Sequence, residues 1–158
     1  MHTLTLLRHA KSDQSLHVSD RERPLNEKGF YDAPIIAKRF QEQGLLPNMM
    51  ISSFALRAET TAKIFAEAIG LELVLDKALY NVDGASVIEI IQATDEDVQG
   101  LMLVGHNPTW EYLAEYFTDT DVSMSACAVI QILFGCAWKD IDKGSGKIVY
   151  FDYPKKER

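Results

Sequence analysis

Apolar and polar positions sort the chain into short strands that alternate with amphipathic helices. Thr3-Leu4-Thr5-Leu6-Leu7 is a short apolar run of the kind a buried strand makes. Met49-Met50-Ile51, Leu71 to Leu75 and Leu101-Met102-Leu103-Val104 follow as further strands, the last the most apolar of the chain. Between them the period becomes helical. Phe30, Ala33, Ile36, Ala37 and Phe40 share a face behind an Asn26 cap and run up to Gly44, while Ala55, Ala58, Ala62, Phe65 and Ile69 share another that stops at Gly70. A third helix is predicted from about Ala85 to Ala93 with Val87, Ile88 and Ile91 inward. Asn107-Pro108 caps and starts a fourth, with Tyr112, Leu113, Tyr116 and Phe117 as its apolar face. Pro34 either kinks the first helix or marks a restart with Asp32 as cap, because an interior proline removes a backbone hydrogen bond.

This alternation, followed by strands over Ala128 to Phe134 and Lys147 to Asp152, predicts an α/β fold with a mainly parallel sheet and an antiparallel edge. Gly144-Ser145-Gly146-Lys147 between the last two strands is a turn: it lacks the earlier glycine of a phosphate loop, and Ile148 stands where Ser or Thr is required. One domain over residues 1–153 with a polar tail, 154–158, accounts for all 158 residues.

Composition narrows the classes. At 47% hydrophobic and 25% charged the chain is an ordinary globular one, and no apolar run approaches the roughly 20 residues that span a bilayer. Met1 to Leu7 is too short for the apolar part of a signal peptide, which predicts a cytoplasmic chain with no membrane partner. A net charge of −7 argues against nucleic acid as a partner, so any phosphate must meet a local basic pocket. Cys127 and Cys136 are too far apart for a CxxC pair, and no zinc-ligand spacing exists; they are expected as reduced thiols in or near the core. A cysteine-nucleophile phosphatase is also excluded, because the positions six residues after the cysteines are Leu133 and Asp142 rather than arginine.

The chemistry gathers at strand ends. The first strand delivers Arg8, His9, Lys11 and Ser12, and the most apolar strand delivers His106 and Asn107 after Gly105. Ligands of open α/β sheets bind outside the carboxyl ends of the strands, so these residues suggest an anion site, the alternative being solvated charges. Arg57 lies in the first turn of the second helix, where it does not favour the helix dipole but suits an anion; the plainer reading pairs it with Glu59. Asp13 to Arg23 lacks periodicity and reads as a loop near the site, containing His17, Asp20, Arg21 and Arg23, with His17 as a solvent-exposed residue. Crossover topology brings all these loops to one sheet edge.

Four segments together resemble the histidine phosphatase superfamily, and within it the SixA-type phosphohistidine phosphatases. Leu7-Arg8-His9-Ala10-Lys11-Ser12 is similar to the RHG or RHA signature, and Arg23-Pro24-Leu25-Asn26-Glu27-Lys28-Gly29 to the RPL segment. Ser52-Ser53-Phe54-Ala55-Leu56-Arg57-Ala58-Glu59-Thr60-Thr61-Ala62 and Val104-Gly105-His106-Asn107-Pro108 are similar to the two others. The resemblance implies a three-layer α/β/α fold of the phosphoglycerate mutase type, no cofactor and no metal. It implies His9 as the nucleophile that becomes phosphorylated, with Arg8, Arg57 and His106 around the phosphoryl group. Lys11, Ser12, Arg23 and Asn107 are further candidates for contacts to phosphate or substrate.

Fixed cations suit the charge that a transferring phosphoryl group spreads over its oxygens, and guanidinium forks suit it better than ammonium groups. The nucleophile must be a neutral imidazole, whereas His106 is more useful protonated, as a hydrogen-bond donor. The expectation is that clustered arginines keep His9 neutral and bound phosphate keeps His106 cationic.

Two departures bear on the substrate. Phe54 stands in place of the usual proline and Thr60 in place of glutamine, changes at the pocket rim. Larger members also place a glutamate as general acid after the third strand; Leu79-Tyr80-Asn81-Val82-Asp83 has none, and Asp83 is a candidate substitute or a helix cap. A sugar alkoxide leaves poorly without an acid, whereas a phosphohistidine imidazole is protonated near neutral pH and needs less help. The expected activity is therefore hydrolysis of phosphohistidine on a protein partner. The alternatives are a small-molecule phosphomonoesterase, a phosphomutase, and a non-catalytic phosphate-binding regulatory module.

Overall fold

Leu4 and Leu6 face one side of the first strand and Thr5 and Leu7 the other, and all four are fully buried. A strand hidden on both faces belongs inside a sheet covered on both sides. In the computed structural model, which describes residues 1–43 and 45–155, this strand, β1 (His2–Arg8), is one of six in a single sheet. The others are β2 (Met49–Ser52), β3 (Leu73–Leu75), β4 (Gly100–Gly105), β5 (Val129–Phe134) and β6 (Gly146–Asp152), in the order β3-β2-β4-β1-β5-β6. The first four are mutually parallel; β5 runs antiparallel to β1, and β6 antiparallel to β5. The mixed α/β architecture agrees with the sequence pattern. Gly44, the expected helix end, and residues 156–158 of the tail lie outside the described residues.

Four helices cover the two faces. Helices α1 (Glu27–Gln43) and α2 (Leu56–Ile69) pack over one core with Leu7, Met50, Met102 and Val104. Helices α3 (Gly84–Gln92) and α4 (Thr109–Thr118) pack over the other with Leu4, Leu6, Leu101 and Leu103. Each central strand thus feeds alternate residues into two separate cores. No described helix is long and apolar enough to cross a membrane.

Helix boundaries follow their chemistry. Asn26 Oδ1 accepts the Gly29 N–H at 2.9 Å and caps α1, and Gly70 ends α2 at φ 73°, a left-handed value that glycine adopts without steric cost. Pro34 starts no new helix: α1 runs through it, and Asp32 is buried in an ion pair with Lys28 at 2.7 Å instead of capping.

Two apolar stripes are displaced from the sequence pattern. Phe30 is exposed because the buried stripe of α1 passes through Gly29, Ala33, Ile36, Ala37 and Phe40. Along α4 the buried residues are Trp110, Leu113, Ala114 and Phe117, while Tyr112 is exposed and stacks on Tyr116.

Sheet register sets the site. Arg8 lies opposite Gly105 across β1 and β4, and Ser52 opposite Val104 across β2 and β4. Pairing continues one residue beyond each strand: His9 N donates to Gly105 O at 3.1 Å and Ser53 N to Val104 O at 2.9 Å. Three strands therefore release Ser53, His9 and His106 side by side. On the far side of β1, Cys127, at φ 65°, donates its N–H to His9 O at 3.0 Å just before β5. Cys127 is buried and Cys136 half-buried, as free thiols.

Candidate active site

His9 leaves β1 with its orientation determined by one bond. Its Nδ1 lies 2.8 Å from Ala10 O. A carbonyl only accepts, so Nδ1 carries the proton and Nε2 keeps its lone pair. Ala10 is held in turn: its N–H donates to Thr61 Oγ1 at 3.0 Å, and that hydroxyl donates to Arg57 O at 2.8 Å. Thr61, fully buried on α2, thus joins the turn after β1 to the residue that carries the second guanidinium. Its place in the fourth residue after Arg57 was visible in the sequence, but its hydroxyl partner was not.

His106 faces His9 with ring centroids 5.3 Å apart, and its Nε2 is 2.8 Å from Ser53 Oγ. Arg8 and Asn107 converge on one carbonyl, Met124 O, at 2.8 and 2.9 Å. Glu111 of α4 holds the same residue from its other side by accepting the Met124 N–H at 2.7 Å. Asn107 therefore does not cap α4, where Pro108 occupies the cap position. Among the described residues, the buried side-chain polar atoms without a hydrogen-bond partner are Arg8 Nε, His106 Nδ1 and Asn107 Oδ1. All three belong to this site. Leaving such atoms unpaired costs about 1–3 kcal/mol each, so their concentration here marks a place built for a ligand.

Arg57 is not paired with Glu59, which binds Lys63 at 2.8 Å. Its Nη1 and Nη2 donate to Asp20 O at 2.7 Å and Asp20 Oδ2 at 3.1 Å. Asp20 Oδ2 also accepts the Tyr80 hydroxyl at 2.6 Å, and Arg23 Nη2 stands 3.8 Å from Asp20 Oδ1. The sequence placed Asp20 in a loop near the site without a role; a partner 37 positions away carries no local signature.

Arg8, His9, Lys11, Ser12, Arg23 and Arg57 line a pocket of about 460 Å³ together with Gln14 and Asp20. Four cations face one carboxylate there, which suits an anion of phosphate size. Backbone bonds from Asp13 N to Pro24 O and from Asn26 N to Lys11 O lace the segment after His9 to the segment after Arg23. Ser12 is buried and accepts the Gln14 side chain at 2.8 Å, whereas Lys11 is exposed at the rim. Asn107 and Asp83 line a neighbouring hollow of about 710 Å³ that His106 borders. His17 is exposed and lines neither.

Burial, more than the arginines, depresses both imidazoles. It pushes the pKa of His9 down to about 3 against the opposing Ala10 bond, with smaller contributions from His106, Arg57 and Arg8. His106 is lowered to about 4 by burial and then Arg57, with Asp20 acting the other way. Both rings are neutral at pH 7 in the free protein. Asp83 accepts the Ser86 N–H at 2.8 Å, caps α3, and is held below the usual carboxylate range by that residue. A carboxylate so stabilised in its ionised form is a poor proton donor.

Residues 4–99 match the histidine phosphatase superfamily, branch 1. The chain belongs to this superfamily. It is 30% identical to an uncharacterized chloroplastic protein of Arabidopsis thaliana, over 90% of this chain and 72% of that one. A candidate phosphohistidine phosphatase SixA from Agrobacterium tumefaciens has a similar structure, with TM-score 0.83 and 28% identity over 97% of this chain and 98% of that one. The protein histidine phosphatase SixA complexed with tungstate superposes with TM-score 0.82 at 22% identity, covering 96% of this chain and 97% of that one, a likeness of fold. The fold of this histidine phosphatase is thus that of the SixA and phosphoglycerate mutase-like structures.

Proposed function

We propose that this histidine phosphatase hydrolyses phosphohistidine on a protein, by passing the phosphoryl group through His9. The observation that carries the reading is the His9 tautomer: the bond from Nδ1 to Ala10 O leaves Nε2 as a lone-pair nucleophile in a pocket lined by Arg8 and Arg57. Arg8 and Arg57 hold the phosphoryl oxygens by fork-shaped donors, and His106 donates to them once the bound anion has raised its affinity for a proton. Lys11, Ser12 and Arg23 line the same pocket, which supports a role for them in added contacts around that group, and the Asn107 bond to Met124 O supports a role in orienting the loop after β4.

The chemistry balances without a protein acid. As His9 Nε2 bonds to phosphorus, the bond to the substrate ring breaks and its electron pair stays on the ring nitrogen. A ring already protonated on its other nitrogen leaves as neutral imidazole. Water then adds to phosphorus, the N–P pair returns to His9 Nε2, and both water protons depart on the phosphate. Asp83, held as a cap, is not needed. The open rim at Lys11 and Asp20 suits a phosphohistidine presented on a protein surface.

The test is chemical trapping combined with a substrate panel. Radiolabelled phosphohistidine peptide is expected to leave acid-labile label on the wild type and none on His9→Ala. Phosphohistidine is expected to be turned over faster than phosphoserine or sugar phosphates. Absence of covalent label, or faster turnover of a sugar phosphate, overturns the proposal.

A further inference from the structure

Four rings stand in a row from the proposed nucleophile outward. His9 and His106 are 5.3 Å apart, His106 and Tyr80 5.7 Å with planes at 79°, and Tyr80 and Phe54 5.5 Å at 65°. The row ends under Arg21, whose guanidinium carbon lies 4.1 Å from the Phe54 ring centroid. Tyr80 also donates its hydroxyl to Asp20, so the row borders the phosphoryl pocket. Phe54 and Tyr80 are half-buried, which fixes them in place while leaving part of each ring accessible. A flat cation already rests on Phe54, and its carrier Arg21 is exposed.

We infer that Phe54 and Tyr80 form an aromatic shelf for the leaving group, and that the shelf selects a planar nitrogen ring, the imidazole of phosphohistidine, over leaving groups without a ring. The inference rests on the phosphohistidine reading above and names the residues that recognise the ring. A phosphoryl group between Arg8 and Arg57 must carry its substituent away from His9, and the row of rings offers the substituent an aromatic wall beside His106. A protonated imidazole is both flat and cationic, so it gains stacking and charge–quadrupole attraction there. An alkyl alcohol gains neither, and a protonated amine without a ring gains the charge attraction but no stacking. Phe54 supplies one end of this wall, next to Tyr80. The attraction acts on the ring in the bound substrate and persists while the N–P bond is still breaking, so ground and transition states share it. Its removal is therefore expected to raise KM with kcat little changed, and so to lower kcat/KM.

Two small phosphoryl donors isolate the ring. Phosphoimidazole and phosphoramidate both present a P–N bond, but only the first has a ring. The ratio of their kcat/KM values is measured for wild type, Phe54→Leu, Tyr80→Leu and Tyr80→Phe. Phe54→Leu and Tyr80→Leu are expected to lower the ratio about 5- to 10-fold, mainly through the KM for phosphoimidazole. Tyr80→Phe keeps the ring and is expected to hold the wild-type ratio. An unchanged ratio in both leucine variants overturns the shelf and leaves the phosphohistidine reading standing. A fall in Tyr80→Phe as large as in Tyr80→Leu also overturns it, by assigning the effect to the hydroxyl. If the wild type turns over neither P–N compound while hydrolysing phosphomonoesters, the phosphohistidine reading itself fails.

Discussion

Asp20 grips Arg57 twice, through its own carbonyl at 2.7 Å and its carboxylate at 3.1 Å. A guanidinium has five N–H donors in a fixed plane, so two bonds to Asp20 orient the group and leave three donors for a ligand. Asp20 is a positioning residue on this geometry. Asp20→Ala keeps the carbonyl contact and loses the carboxylate, so kcat/KM for a phosphorylated substrate is expected to fall about 10-fold. Asp20→Asn, which retains an acceptor oxygen for Arg57 and Tyr80, should recover most of the loss. Steady-state kinetics of the two variants checks this, and equal defects in both would exclude positioning through the accepted bonds.

Stability should fall on the acid side. The folded-state pKa values of His9 and His106, about 3 and about 4, lie below the ordinary imidazole value of 6.5. Between pH 6.5 and 4 the unfolded chain therefore binds protons that the folded chain refuses, and unfolding is favoured as pH drops. Above pH 7 neither histidine contributes a slope. Each adds at most about 1.4 kcal/mol per pH unit within the window. Urea midpoints at pH 7, 6 and 5 should decline, and more gently in His106→Gln; equal midpoints across that range would contradict the burial of both rings.

Phosphate should reverse the charge preference of His106 alone. In the free protein its ring is neutral at pH 7, with Nδ1 buried and lacking a partner. An anion bound beside Arg8 and Arg57 offsets their repulsion and gives the imidazolium an acceptor. NMR titration with inorganic phosphate is expected to move His106 upward past pH 7 while His9 stays neutral. A phosphate-bound His106 that remains neutral at pH 7 would end this account.

Gly29 holds the pocket segment in place by its lack of a side chain. A Cβ at this position would penetrate the carbonyl oxygen of Lys11, a backbone atom with no room to retreat because it also accepts the Asn26 N–H at 3.0 Å. Alanine favours a helix by about 1 kcal/mol over glycine, but a backbone clash of this kind costs about 1–3 kcal/mol. Gly29→Ala should therefore destabilise the protein and weaken phosphate binding by displacing Lys11 and Ser12. Thermal melts and phosphate titration measure the two effects.

Much of this site was visible in the residues themselves. Strand ends that deliver Arg8, His9 and His106, and a helix that opens on Arg57, are local features, and local pattern reports them. What escaped depends on contacts between distant segments. Asp20 and Tyr80 acquire their roles only when a loop folds over α2. Hydropathy put Phe30 inside α1, but the close approach of the Lys11 segment leaves room only for Gly29 on that line. Likewise, Trp110, Leu113 and Phe117 bury the face of α4 that Tyr112 seemed to share, and its stacking partner Tyr116 keeps that ring outside. The low His9 pKa has the same kind of origin: the arginine charges that lower it a little can be read from a sequence, and the depth of burial that lowers it most cannot.

Backbone pairing that continues past the strands to Ser53 and His9 ties the chemistry to the hydrogen-bonded centre of the sheet. The amides of His9 and Ser53 should exchange with solvent only through global opening, whereas those of Ser15 to Ser19 in the exposed loop should exchange through small local fluctuations. Loss of reactivity and loss of structure in denaturant are then one transition. New specificity can arise in the loops that carry Asp20, Arg21, Phe54 and Tyr80, because there a change alters what the pocket accepts without unpairing the sheet.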